Sequence, residues 1–421
     1  MRAEIISIGD ELLIGQVINT NAAKIGEMLN LAGIKVVQVS TIADDKLSII
    51  NSFNAAREKA DLVLITGGLG PTKDDITKNT LCEYFKTKLV LNQEMLENVK
   101  AIFAKRNIVL SEVNKKQAEV PENCIAIKNN NGTAPGMWFE VDGKIFVSMP
   151  GVPFETIAMM ENFVIPKLKA EHDLPFIYHK TILTQGKGES DLAALIEDWE
   201  DSLAAKNIKL AYLPSPGMVR LRLSAYGENH AQIIKNVEDK ITEVLPTISK
   251  YVYGFEEFGK PVPKIESILG NLLLSKNKKI ALAESCTGGY ISHLLTTVAG
   301  SSAWFNGSIV PYHNQFKNEL LNVNNKIFST AGAVSEECVK EMAEGVLKKF
   351  NSDYAIAVSG IAGPSGGTEE KPVGTVWIAW SSTKETKTRK FIFGHNRERN
   401  IHLTAINALN GLRRMIEDEG F

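Results

Sequence analysis

The stretch Ala281-Leu-Ala-Glu-Ser-Cys-Thr-Gly-Gly-Tyr290 ends an apolar run on a hydroxyl and opens a helix with two glycines. Helix starts leave backbone N–H groups without intrahelical partners and carry partial positive charge, so a hydroxyl there stands beside a place for an oxyanion. Ser285 is placed like a nucleophile. Taken alone, Ser285 and Thr287 also read as capping hydroxyls, and a serine nucleophile needs a base. Ser308-Ile-Val-Pro-Tyr-His-Asn-Gln-Phe-Lys317 supplies a candidate: a strand, a turn at Tyr312-His313-Asn314, and a helix with Lys317 in its first turn. The helix dipole at that end lowers a lysine pKa, and partial burial lowers it further, which suits a general base at neutral pH. Without the serine segment Lys317 reads as a solvated surface lysine. Cys286 is a rival nucleophile, with His293 or His313 as partner. Strand alternation turns Cys286 away from the face used by Ser285, which favours a small buried hydrophobe.

Ser359–Gly374 holds five glycines and two prolines after an apolar strand. Such a loop can point its N–H groups inward as an anion nest, with Arg397 adding bidentate contacts to phosphate; it also reads as a plain crossover turn. No Gly-Lys-Ser/Thr follows it, so a Walker loop is excluded.

The first third carries a second candidate site. Ile65–Asp75, ITGGLGPTKDD, sets a glycine-rich turn after a strand, where ligand crevices of α/β sheets form. Phosphate or pyrophosphate is the expected guest, held by Gly67, Gly68, Gly70 and Thr72, with further backbone donors around Gly132 and Gly151. Asp74 and Asp75 follow directly, and Asp10 and Glu11 end the first strand. Carboxylates beside a pyrophosphate point to a divalent cation, of which Asp10, Asp74 and Asp75 are the candidate ligands. One of Asp74 and Asp75 also fits the role of a helix cap before ITKNTLCEYF.

These residues need strands to end at defined places. Short apolar runs (AEIISIG, IKVVQVSTI, DLVLITGG) alternate with helical patterns over Asn21–Leu31 and Leu47–Lys59, which predicts a parallel sheet with helices on both faces over 1–170. From 175 to 254 the pattern changes to HKTILTQG, a helix over Glu189–Leu203, KLAYLPSP and MVRLRLSAYG, a small α+β module. It ends near Val252–Gly254, and EEFGKPVP reads as a linker. From 260 to 421 a helix, KKIALAES, a helix over Tyr290–Val298, SIVPY, DYAIAVSG, GTVWIAWSS and a helix over Ile401–Glu417 predict a second α/β core.

A length of 421 residues exceeds one hydrophobic core, and 44% hydrophobic with 23% charged residues is ordinary for a compact protein. Lys plus Arg total 47 against 49 Asp plus Glu, so the charge makes no case for nucleic acid or a membrane surface. Four separated cysteines suit a reducing compartment. With no leader-like amino terminus or spanning apolar run, a cytoplasmic location is expected.

In their order, AESCTGG, GSSAWF, Tyr-x-Asn-x-x-Lys, SGIAGPSGG and KPVGTVW resemble the competence/damage-inducible CinA family, along essentially the whole chain. The resemblance implies two α/β domains, an amino-terminal molybdopterin-binding-like one and a carboxy-terminal amidase, joined by a KH-like module. It implies hydrolysis of nicotinamide mononucleotide by Ser285 with Lys317 as base and Tyr312 assisting, without a cofactor. Thr287, Gly288 and Gly289 line the oxyanion side, and Gly363, Gly366, Gly367 and Arg397 take the phosphate or ribose. The chain departs from the commoner pattern at His313, where serine is usual, and at His395-Asn396. For the first domain the resemblance implies hydrolysis of ADP-ribose with a divalent cation, or pterin binding as in related domains. The middle segment lacks the GXXG clamp of an RNA-binding KH domain, which leaves linking domains or a homodimer contact as its expected role. The alternative to an enzyme is a nucleotide- or pterin-binding regulatory protein linked to competence.

Overall fold

The computed structural model describes residues 1–72, 75–105, 107, 109–257 and 259–417, with Val113 in its backbone alone. Two compact units divide the chain: Met1–Tyr178 with Ala225–Ile234, and His179–Ser224 with Lys235–Phe421. No helix among the described residues is long and apolar enough to cross a membrane.

In the first unit the strand Arg2–Ile8 pairs in parallel with Lys35–Ile42 and with Leu62–Thr66, which pairs in turn with Lys144–Met149. Strand alternation gives Leu62–Thr66 two buried faces. Leu62 and Leu64 pack with Ile25 and Leu29 of the helix Thr20–Leu31, and Val63 and Ile65 with Ile49 and Phe53 of the helix Lys46–Lys59. Each such side chain contributes about 1.5–3 kcal/mol by leaving water. The expectation of an all-parallel sheet needs correction, because Gly136–Val141 and Ile125–Ile127 extend it antiparallel. Asp142-Gly143 forces the reversal: both residues adopt positive φ (50° and 71°), as a tight Asp-Gly hairpin turn requires.

In the second unit the strand Ile280–Glu284 lies between Phe305–Ile309 and Tyr354–Gly360, both parallel to it. Thr375–Ser382 and Thr386–Ile392 complete five strands, antiparallel. Ile280 and Leu282 face the helices Ile265–Ser275, Tyr290–Thr296 and Arg397–Ile416, while Ala281 and Ala283 face Asn314–Leu321 and Glu336–Phe350. The expected strand SIVPY stops at Ile309, since Pro311 has no N–H for the ladder.

The middle segment forms a four-stranded sheet in the order Lys209–Ser215, Met218–Gly227, Phe176–Gln185, Val252–Glu257. The helix expected over Glu189–Leu203 breaks at Ile196 into Glu189–Leu195 and Glu197–Leu203. The strand Val252–Glu257 pairs along Lys180–Thr184 and runs three residues past Gly254. Leu183 and Tyr253 reach the same apolar cluster as Leu269 and Trp380, which is why this segment groups with the carboxy-terminal unit.

Candidate active sites

Strand alternation puts Ser285 on the same side as Ala283, the face covered by the helix Asn314–Leu321. The alternation still holds at the strand end, because the Ser285 N–H continues the ladder to the Val358 carbonyl at 3.0 Å. Lys317 lies on that face, only 2% exposed, and its Nζ donates to the Pro311 carbonyl at 2.9 Å. Pro311 follows by two residues Ile309, whose partner on the central strand is Ala283. The two candidate residues therefore lie on one face of the sheet near the ends of neighbouring strands, with the Lys317 amine turned to the Pro311 and Tyr312 carbonyls. Among the described residues the Ser285 hydroxyl has no hydrogen-bond partner.

Burial lowers the Lys317 pKa from its ordinary value, with the Cys338 and Cys286 thiols opposing. The solvated-lysine reading is thereby corrected, and desolvation, rather than the helix dipole, is the main cause. Cys286 lies across the sheet in the apolar cluster with Ile291 and Leu282, and burial pushes its thiol up to about 12. A thiol held neutral is a poor nucleophile.

The oxyanion expectation needs revision. Glu284, fully buried, accepts from Gly289 N–H at 3.2 Å, Ile291 N–H at 2.9 Å and Ser292 N–H at 2.8 Å. The Thr287 and Ser292 hydroxyls also donate to it, at 2.8 and 2.5 Å. The start of the helix Tyr290–Thr296 is thus filled by a carboxylate of the chain itself, and Gly288 N–H turns back to the Ser285 carbonyl at 3.1 Å. Thr287 N–H has no acceptor among the described residues and is the donor left for an oxyanion. Gly288 and Gly289, at φ 60° and 96°, make the turn that lets Glu284 reach forward. Sequence reasoning passed over Glu284; a charged residue at the end of an otherwise apolar strand was the available signal. Glu284→Gln sets an amide N–H₂ against donors, and the expected loss is about 3 kcal/mol of unfolding free energy, read from urea midpoints.

Arg397, the first residue of Arg397–Ile416, donates through Nη1 to the Gly363 carbonyl at 2.8 Å and through Nη2 to the Tyr312 hydroxyl at 3.1 Å. Three candidates from separate segments meet here. Gly366 and Gly367 lie further out on the exposed loop; a Cβ on Gly367 would stand 2.6 Å from the Val373 nitrogen. Asn400, not singled out from sequence, ties the loop down by donating to the Ala362 and Gly394 carbonyls at 3.0 and 2.8 Å. At the two departures from the family pattern, His313 and Asn396 cap their helices by accepting from Gln315 and Arg399 N–H.

In the amino-terminal unit Gly67, Gly68, Gly70, Gly151 and Asp75 line one cavity of about 620 Å³. A Cβ on Gly68 would stand 2.0 Å from Thr77 Oγ1, so only glycine brings the loop this close. Two candidates do not reach the wall as donors. Gly132 N–H is taken by Asn129 Oδ1 at 2.9 Å, and Thr72 turns both its N–H (2.9 Å) and its hydroxyl to Asp75 Oδ2. Asp10 is exposed and does not line the cavity; its backbone N–H interacts with the Asp44 carboxylate. Asp44, missed from sequence, lines the cavity with Glu11. Burial raises the Asp44 pKa, and Glu11, Asp10 and Asp75 raise it further. Asp74 lies outside the described residues. Among the described residues no three His, Cys, Asp or Glu side chains converge as an ion-binding group. The buried oxygens Asn21 Oδ1 and Gln117 Oε1 line the cavity without partners. With the carboxylates they make an acceptor-rich wall that fits a cation shared with phosphate, as magnesium is often held.

The architecture is that of a modular α/β protein, and three family models match it in turn. They are "Probable molybdopterin binding domain" over residues 4–170, "Damage-inducible protein CinA KH domain" over 179–254 and "CinA C-terminal domain" over 262–416. The chain is 47% identical to the "CinA-like protein" of Cytophaga hutchinsonii across 99% of its own length and 98% of that protein. It is also 47% identical to that of Flavobacterium psychrophilum, across 100% and 98%. A crystal structure of the competence/damage inducible protein CihA from Agrobacterium tumefaciens shares 34% identity over 38% of this chain and 99% of its own, with a TM-score of 0.35. The chain belongs to the CinA family of competence- and damage-inducible proteins.

Proposed function

We propose that the carboxy-terminal domain hydrolyses the carboxamide of nicotinamide mononucleotide to nicotinate mononucleotide and ammonia. The observation that carries this reading is the unpartnered Ser285 hydroxyl at a strand end, on the sheet face that also buries Lys317, an amine that burial drives toward its neutral form. Neutral Lys317 takes the Ser285 proton as Oγ attacks the amide carbon. The tetrahedral oxygen receives the Thr287 N–H. Lysine returns the proton to the leaving nitrogen, which departs as ammonia and leaves an ester on Ser285. Water, deprotonated by the same lysine, cleaves the ester and restores the hydroxyl. Arg397 is the residue for the ribose phosphate, and the Tyr312 hydroxyl it holds assists at the reacting centre. The test is ammonia release from nicotinamide mononucleotide by the purified chain; binding without release favours a regulatory sensor instead.

For the amino-terminal cavity the reading is hydrolysis of ADP-ribose to AMP and ribose 5-phosphate. Its support is the glycine loop set against an excess of carboxylates. The chemistry that a divalent cation would supply there is neutralisation of phosphate charge and activation of water. Glu11, Asp44 and Asp75 are the carboxylates of the cavity wall that would share the cation with the phosphates rather than enclose it themselves, and the Gly68 and Gly70 loop would position the pyrophosphate. Asp75 also braces that loop through Thr72. Asp75→Ala is expected to lower ADP-ribose turnover by about 10- to 100-fold while ammonia release stays at the wild-type rate. Unchanged turnover removes Asp75 from the site.

A further inference from the structure

Away from both candidate sites, one hollow in the carboxy-terminal unit is walled by two regular elements. The strand Thr386–Ile392 and the residue after it present Arg389, Phe391 and Phe393 at every second position, hence on one face. The helix Arg397–Ile416 presents Arg399, Leu403, Asn407, Asn410 and Arg414 at three- and four-residue steps, hence as one stripe. They enclose a cavity of about 470 Å³, closed by Gln185, Gly186, Gly217 and Tyr251 from the middle segment.

The rings of Phe391 and Phe393 stack at 5.6 Å with 20° between planes, and the Arg389 guanidinium lies 5.3 Å over Phe391. Trp380 forms the floor, admitted by Gly411, whose added Cβ would stand 2.3 Å from the indole. Three arginines and no carboxylate line the hollow. Arg389 and Arg399 have no ion-pair partner among the described residues. Gln185 is 4% exposed, yet its Oε1 has no hydrogen-bond partner. Asn407 uses its Nδ2 on the Leu403 carbonyl at 2.8 Å, which leaves its oxygen available. A buried amide oxygen without a donor carries a desolvation penalty that a ligand N–H or O–H removes.

Unpaired guanidinium groups, an aromatic wall and unsatisfied amide oxygens are complementary to an anion that carries a planar hydrogen-bonding ring. We propose that this hollow is a further binding site, for a nucleoside phosphate. The phosphate lies on Arg389 and Arg399, and the base lies against Phe391 and Phe393 with its N–H groups toward Gln185 and Asn407. The site is separate from the serine site: Arg397, two residues before Arg399, sends its guanidinium to Gly363 and Tyr312.

The test uses the full chain with AMP as probe, amide hydrogen exchange to locate binding and calorimetry to measure it. Protection across 386–393 and 399–414 is expected, and Arg389→Ser with Arg399→Ser should weaken that binding at least tenfold. Arg389→Lys, which keeps charge but loses the planar fork, should weaken it less than Arg389→Ser and serves as the variant least disruptive to folding. Protection confined to the segments around Gly67–Gly70 or Ser285–Tyr290 overturns the proposal, as does no protection at all. Inorganic phosphate binding as tightly as AMP overturns the role of the aromatic wall.

Discussion

Ser285→Ala should reduce ammonia release from nicotinamide mononucleotide by a factor on the order of 10³ or more, while the chain stays folded and ADP-ribose turnover is unchanged. The size follows from the proposed chemistry, since without Oγ no ester forms and water must attack the amide directly. Removal of one hydroxyl from a site with no hydrogen bond to it costs little stability, so the thermal midpoint should hardly move. Single-turnover quench with labelled substrate adds a second readout: wild type traps label on the peptide containing Ser285, and the variant does not. Retained ammonia release in the variant would defeat the nucleophile assignment and turn attention to Cys286. Burial keeps that thiol neutral, so the expectation for Cys286→Ala is near-wild-type activity.

Lys317→Met should lower the same activity by about 10²- to 10⁴-fold, as expected for loss of a general base, and at the same time stabilise the protein. The second effect comes from the lowered pKa. Between the folded pKa and the unfolded value of 10.5, the unfolded chain binds the proton that the folded chain releases. Wild-type stability from this group therefore rises with pH through that window, and the lysine is a burden below it. The methionine variant should melt above wild type at pH 7, with an advantage that shrinks as pH approaches 10.5. Wild-type kcat/KM should climb with pH along a limb set by the same depressed pKa. A pH-independent difference in melting, or a kcat/KM limb at the pKa of free lysine, would contradict a buried base.

The apolar runs at AEIISIG, DLVLITGG and KKIALAES were legible as strands because each is central and covered on both faces, so composition alone betrays it. Gly67, Gly68 and Ser285 were legible for a related reason: ligand crevices form where such strands end. Strand direction was less legible, since it depends on turns such as Asp142-Gly143 that take up two residues of a long chain. Three things were decided only by tertiary structure. Lys317 became a buried amine because the sheet and the helix Glu336–Phe350 close over it, a desolvation that no local pattern encodes. Glu284 took the helix N–H groups first assigned to an oxyanion, because five donors from Thr287 to Ser292 fold back onto one carboxylate. Asp44 joined Glu11 and Asp75 around one cavity although 33 and 31 residues separate it from them, and burial, with their repulsion added, raises its pKa only once the fold brings them together. Sequence determined which residues have the chemistry. Folding decided their solvation and neighbours, on which acidity and nucleophilicity depend.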